Sequence, residues 1–305
     1  MLHATDTENQ FVVDILMELR NEKYSPLAWK HFLGSSWKRS RATARANPAL
    51  KRSWVHTTIF IGALALAILI VNSIFEGPIA TLQLMPGFLF FVVWQQSDLY
   101  WHLGLNRQSR TGTLLHIIGG ATTLTMLRGL AASYLLGRCI GRITTPSWLL
   151  LLVFLGGLIT DMLDGHIARR TQTQTKLGQI ADGEADFCLY LAIALILIQE
   201  SILPLWFGLF ILLRFMIPLI AAITSYFLFA HPVRFGSTMW GKVTGLALCF
   251  YFLLLLAPGQ LIFLTRFMNR PLSIVTLLLL IIAPLAQIAR NIPGSNFRYF
   301  SHVRR

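Results

Sequence analysis

Asp161-Met-Leu-Asp164-Gly165-His166-Ile167-Ala168-Arg169 is followed, after eight residues, by Gly178-Gln-Ile-Ala-Asp182-Gly183-Glu184-Ala-Asp186. Five acidic residues fall within these 26 positions, and four of them are among the chain's seven aspartates. The segments on either side read as membrane helix. A carboxylate at membrane depth is expensive, so it marks a functional site with a partner. Asp161, Asp164 and Ala168 are spaced i, i+3, i+7 and share one helical face; Gly178, Asp182 and Asp186, spaced i, i+4, i+8, share another. The polar run 170–176 between them has no apolar periodicity and reads as a turn. Two antiparallel helices would then bring two Asp pairs together. Four facing carboxylates cannot all stay ionised unless a cation intervenes. Hard oxygen donors without His or Cys suit Mg²⁺ or Mn²⁺. Two such ions would hold a diphosphate and polarise the bond being broken. Gly165, Ala168 and Gly178 are small where a nucleotide needs close approach, and Arg169 offers a planar fork to phosphate. Glu184 lies two residues from both flanking aspartates, so it points off their face. On these residues alone, an enzyme, a divalent-cation transporter and a structural ion-pair cluster all remain open.

Composition supplies the setting. The chain is 55% hydrophobic and 13% charged, with a mean hydropathy of +0.61. A soluble domain carries about 25% charged residues, so the deficit points to membrane. Crossing a ~30 Å hydrocarbon core takes about 20 apolar residues. Spans are expected near 56–76, 80–97, 114–137, 146–165, 186–203, 205–228, 241–258 and 272–290. The second is short and contains Pro86. The first 50 residues are polar and charged throughout, so no signal peptide is expected.

The net charge of +13 reflects topology rather than nucleic-acid binding. With the N-terminus inside and eight crossings, 20 of the 26 Lys and Arg fall on the cytoplasmic side and only Arg138, Arg142, Arg266 and Arg270 outside. That asymmetry follows the positive-inside rule and puts the acidic run, and both termini, at the cytoplasmic face. Cys139, Cys188 and Cys249 show neither metal-ligand spacing nor a disulfide framework.

Three regions are expected: a cytoplasmic or interfacial N-terminal segment over 1–53, two additional transmembrane helices over 54–105, and a membrane domain over 106–305. In the first, Thr5-x-x-Glu8 is a capping box, and Phe11, Val12, Ile15, Leu16 and Leu19 make an apolar face. Farther on, aromatics alternate with Lys and Arg in a pattern suited to a helix in the interface. Trp94, Tyr100 and Trp101 fit an aromatic belt.

The full spacing, Asp161-x2-Asp164-Gly165-x2-Ala168-Arg169-x8-Gly178-x3-Asp182-x3-Asp186, resembles the signature of the CDP-alcohol phosphotransferase (CDP-alcohol phosphatidyltransferase) family. Eight defined positions match. The resemblance implies an all-α integral membrane protein with a six-helix catalytic core, here preceded by two extra helices and the N-terminal segment. It implies that a hydroxyl attacks the β-phosphoryl group of a CDP-linked donor, such as CDP-diacylglycerol, and that CMP leaves. Asp161, Asp164, Asp182 and Asp186 would be metal ligands, with Asp186 also taking the proton from the attacking alcohol. Gly165, Ala168, Arg169 and Gly178 would contact the CDP moiety. A homodimer is also implied.

Two flanking elements are similar to those of bacterial phosphatidylglycerophosphate synthases. Thr122-Thr-Leu-Thr125-Met-Leu-Arg128 resembles an Asn-x-x-Thr-x-x-Arg entry, with Thr122 in place of Asn. It would add Thr125 to the CDP contacts. Trp240-Gly241-Lys242-Val243-Thr244 resembles a Gly-Lys-x-Lys-Thr element lacking one Lys. Arg128, Arg214 and Lys242 are candidates for the phosphate of an acceptor such as glycerol 3-phosphate. A CDP-amino alcohol with diacylglycerol as acceptor is the alternative transferase reading. A transporter would instead place its ligands near the midplane on interrupted helices.

Overall fold

The computed structural model describes residues 16–229, 239–257 and 262–291. The capping box, three residues of the first apolar face (Phe11, Val12 and Ile15) and Arg234 lie outside them. Helices account for nearly all of these residues, and the chain divides into two units, Met1–Glu200 and Ser201–Arg305.

In the first unit, α1 (Pro26–Ala46) leads into α2 (Pro48–Glu76) and α3 (Pro78–Trp101). All three begin with proline in the first turn, where the missing N–H costs nothing. An irregular segment follows, then α4 (Gly120–Ile140), α5 (Ser147–Arg170) and α6 (Lys176–Gln199). Helix α4 is the centre of this unit. It carries buried residues on every side, including Arg128 and Arg138, and α3, α5 and α6 all pack against it. Glycine permits the closest approach: a Cβ on Gly137 would lie 2.8 Å from the Phe88 backbone nitrogen, and one on Gly87 would lie 3.1 Å from the Gly137 Cα. Small residues at a helix crossing let backbones touch in this way.

The accessory helices are bound to α4 by a polar network. Arg138 is buried and donates to Glu76 at 2.6 Å, to the Tyr134 hydroxyl at 3.0 Å and to Thr145 at 3.1 Å. Tyr134 in turn donates to Asn72, which donates to Thr81. At the other end, the Trp101 indole donates to Ser36 and the Trp54 indole to the Gln96 carbonyl. Tyr100 and Trp101 both pack on Trp37. Two members of the expected belt therefore hold α1 on α3.

Among the described residues, four helices are long and apolar enough to cross a membrane: α2, α3, α5 and the stretch 267–286. The segment with Pro86 is one of them, a 24-residue helix that contains the proline. The expected span 114–137 starts as helix only at Gly120. Residues 114–119 are apolar apart from His116, but the buried Asn106 side chain donates to the carbonyls of Leu115 and Ile117. Those carbonyls are satisfied outside a helix. The span expected at 186–203 is a helix that starts ten residues earlier, at Lys176, where the Thr175 hydroxyl accepts from the Gly178 N–H at 3.0 Å. That is the geometry of an N-cap.

The second unit contains α7 (Leu205–Phe229), α8 (Met239–Leu255) and α9 (Ile262–Asn291). Helix α9 packs on both others. Phe207 stacks near Tyr251, with ring centroids 5.0 Å apart, and the Thr244 hydroxyl donates to the Leu279 carbonyl.

Candidate active site

The aspartates come from the C-terminal half of α5 and the N-terminal half of α6, as the spacing predicts. The structure departs from a simple helical hairpin, however. Both helices pack chiefly on α4 rather than on each other, and the two Asp pairs meet over it. Arg128 fills the space between them. Its guanidinium lies 3.0 Å from Asp161, 3.6 Å from Asp164 and 3.3 Å from Asp186, and it donates to Asp182. The arginine is 1% exposed; the carboxylates are 50% (Asp161), 8% (Asp164), 43% (Asp182) and 36% exposed (Asp186). One cation is thus buried under four anions, three of which open outward.

Three of the four aspartates converge. Carboxylate oxygens of Asp161, Asp182 and Asp186 all lie within 4.8 Å of one another. Asp164 is set deeper, and it accepts from the Thr125 hydroxyl at 2.9 Å. Thr125 and Arg128 are one turn apart on α4, so one helix face supplies both contacts. The set fits a divalent cation: the donors are hard oxygens, three are half-exposed, and a single guanidinium cannot balance four carboxylates.

Beside the carboxylates is a cavity of about 240 Å³. All five residues expected to contact CDP line it: Thr125, Gly165, Ala168, Arg169 and Gly178. Asp164 and Asp182 form its carboxylate side. Small size matters at two positions. A Cβ on Gly165 would meet the Arg169 guanidinium at 3.1 Å, and one on Gly178 would come within 3.4 Å of the Thr175 and Thr122 hydroxyls. Glu184 faces elsewhere, toward Trp94, Asp98 and His102, as its offset from the Asp face requires.

Several lining residues were not singled out by sequence. Thr173, Gln174 and Thr175 belong to the polar turn between α5 and α6, and Gln179 sits in the first turn of α6. Their only signal was polarity beside the motif. Thr122 also lines the cavity, at the position where the resemblance expects Asn. Arg128 is expected at an acceptor phosphate, and its partners here are the four aspartates. In the second unit, Arg214 donates to the Gly241 carbonyl at 3.2 Å and lies over the Phe215 ring; Lys242, the next residue along, is exposed.

Residues 120–286 match the family described as CDP-alcohol phosphatidyltransferase. No curated protein and no solved structure matches the chain. The match covers more than half of the 305 residues and includes the four clustered aspartates and every cavity residue named above. This all-α membrane protein therefore belongs to the CDP-alcohol phosphatidyltransferase family, divalent-metal-dependent transferases that move a phosphatidyl group from a CDP-alcohol to an acceptor.

Proposed function

We propose that the protein transfers a phosphatidyl group from CDP-diacylglycerol to the hydroxyl of a phosphorylated polyol such as glycerol 3-phosphate, releasing CMP. The observation that carries this reading is the cavity. Five residues of the motif and its flank line one space, and two of the four aspartates lie on its edge.

In this reading the CDP moiety occupies that cavity, close to the small faces of Gly165, Ala168 and Gly178. Arg169 binds phosphate through its fork. Asp161, Asp164, Asp182 and Asp186 would hold two ions of Mg²⁺ or Mn²⁺. The ions, when bound, neutralise the diphosphate and ease departure of CMP. The acceptor oxygen bonds to the β-phosphorus as the bond from that phosphorus to the CMP oxygen breaks, and the electron pair leaves with CMP. The hydroxyl proton passes to Asp186, whose partial exposure admits an acceptor. Arg128 keeps the carboxylates convergent. Arg214 and Lys242, neighbours in the second unit, are assigned to the acceptor's phosphate. The charge asymmetry supports a site at the cytoplasmic surface, where CMP and a water-soluble acceptor exchange freely. The family resemblance adds a homodimer, which sedimentation of the solubilised protein tests.

The deciding assay uses purified protein with Mg²⁺ or Mn²⁺ and two donor arms: radiolabelled CDP-diacylglycerol with a panel of alcohols, and a CDP-amino alcohol with diacylglycerol. CMP release with a phosphorylated polyol is expected. Release only with a CDP-amino alcohol and diacylglycerol would reassign the donor, and no CMP from any pairing would overturn the reading.

A further inference from the structure

Residues 106–119 precede the family match and contain no regular helix, yet they are firmly built. Asn106 is 1% exposed. Its side chain donates to the Leu115 and Ile117 carbonyls, and its own carbonyl accepts from the Leu115 N–H at 2.9 Å. The Gln108 N–H donates to the Thr113 carbonyl at 2.9 Å. Gly112 closes the turn with a φ of +70°, which favours glycine. The Ser53 hydroxyl of α2 binds the Ile118 N–H at 2.9 Å. The segment is a strap with both ends tied.

The tip of the strap meets the turn between α5 and α6. The Gln108 side-chain amide donates to the Gln172 carbonyl at 2.9 Å. The Ser109 N–H and hydroxyl both donate to the Gln174 carbonyl, at 2.8 and 2.9 Å. Gln108 also pairs with Thr175 in an isolated antiparallel bridge. On the inner side of this turn, Thr173, Gln174 and Thr175 line the cavity. Gln172 has a φ of +54°, a conformation that a non-glycine residue keeps only when its surroundings hold it.

We propose that the strap is a positioning element for the donor's nucleotide, with Gln108 and Ser109 setting the cavity wall made by Thr173, Gln174 and Thr175. The inference rests on the reading that this cavity takes the CDP moiety. The turn is polar and largely exposed, so fixing it on binding would cost conformational entropy. The strap fixes it beforehand, and preordering of this kind raises affinity without a new ligand contact. The Thr175 cap at the start of α6 carries the same geometry to Gly178.

The test uses the full-length protein in nanodiscs with Mn²⁺. CDP binding is measured by calorimetry, together with KM for CDP-diacylglycerol and for the acceptor, kcat and Tm. Gln108→Glu keeps the shape and removes the N–H donor. Ser109→Ala removes the hydroxyl donor, and Ser109→Thr retains it. Each lost bond should weaken CDP binding and raise the donor KM about fivefold. The kcat and the acceptor KM should stay within about twofold, and Ser109→Thr should behave as wild type. Unchanged CDP affinity in both single variants, with wild type binding normally, overturns the proposal. So does a joint fall in kcat, both affinities and Tm, which would mark the strap as merely structural. Wild-type protein that binds no CDP overturns the nucleotide reading of the cavity and the strap with it.

Discussion

Arg128, 1% exposed and set against four carboxylates, is the local counter-charge between the Asp faces. Removing one partner of a buried charge cluster is strongly destabilising. Arg128→Met should cost about 3 kcal/mol in EDTA, the low end for such a loss because three partners are half-exposed. Thermal melts check this, and added Mn²⁺ should raise the variant's Tm more than wild type's. An equal rise in both would refute the counter-charge role. Thr125 acts one step away, through its 2.9 Å bond to Asp164. Residues that orient metal ligands are typically worth 10–100-fold in metal affinity or activity. Thr125→Val should shift the Mn²⁺ dependence of CMP release by that order. Asp186→Asn should abolish turnover with the fold intact by circular dichroism; retained turnover would remove Asp186 as proton acceptor. The aspartates themselves were legible because i, i+3 and i, i+4 spacing puts side chains on a common face. Arg128 was legible as an intramembrane charge but not as their partner, since nothing in the spacing relates 128 to 161 or 182.

At the scale of elements, α4 explains most of what sequence periodicity missed. Hydropathy found spans, yet a pattern reports only that a helix has an apolar face, not which helix that face meets. The hairpin expected from the motif became two helices packed on a third. The Arg138 network shows the same for α2 and α3, which lie outside the family match but bond directly to the helix carrying Arg128. Glu76→Ala should therefore destabilise the protein by about 1.5–3 kcal/mol, the range for a hydrogen bond to a charged group. Activity per folded molecule should stay near wild type, because the network is remote from the carboxylates in sequence and contacts none of them. A wild-type melting temperature would show that the accessory helices do not lean on this pair.

At the scale of the whole molecule, the charge asymmetry and the site make a joint demand. In the proposed topology the turn at 171–175 lies with the basic N-terminal segment on one side of the membrane, and the turn at 141–146 on the other. In a cysteine-free background, single cysteines at Lys38 and Gln172 should label from the cytoplasmic side of sealed vesicles, and one at Arg142 only after permeabilisation. Labelling of Gln172 and Arg142 from one side would break the topology. Chelation is the matching global test of chemistry: EDTA should stop CMP release and Mg²⁺ or Mn²⁺ restore it, while the Arg128 cluster keeps the chelated protein folded.

Membrane class, helical fold, the family and the four aspartates follow from the sequence itself. Hydropathy, charge asymmetry and motif spacing are local properties of the chain, and they need no knowledge of what lies alongside. The placement of Arg128 under the carboxylates, the deeper seat of Asp164, the wall made by the 171–175 turn and the strap at 106–119 were decided only by tertiary structure. Each depends on contacts between residues 33 to 65 positions apart, and no periodicity within a single segment encodes such a meeting. The packing of α3, α5 and α6 around α4 sets it.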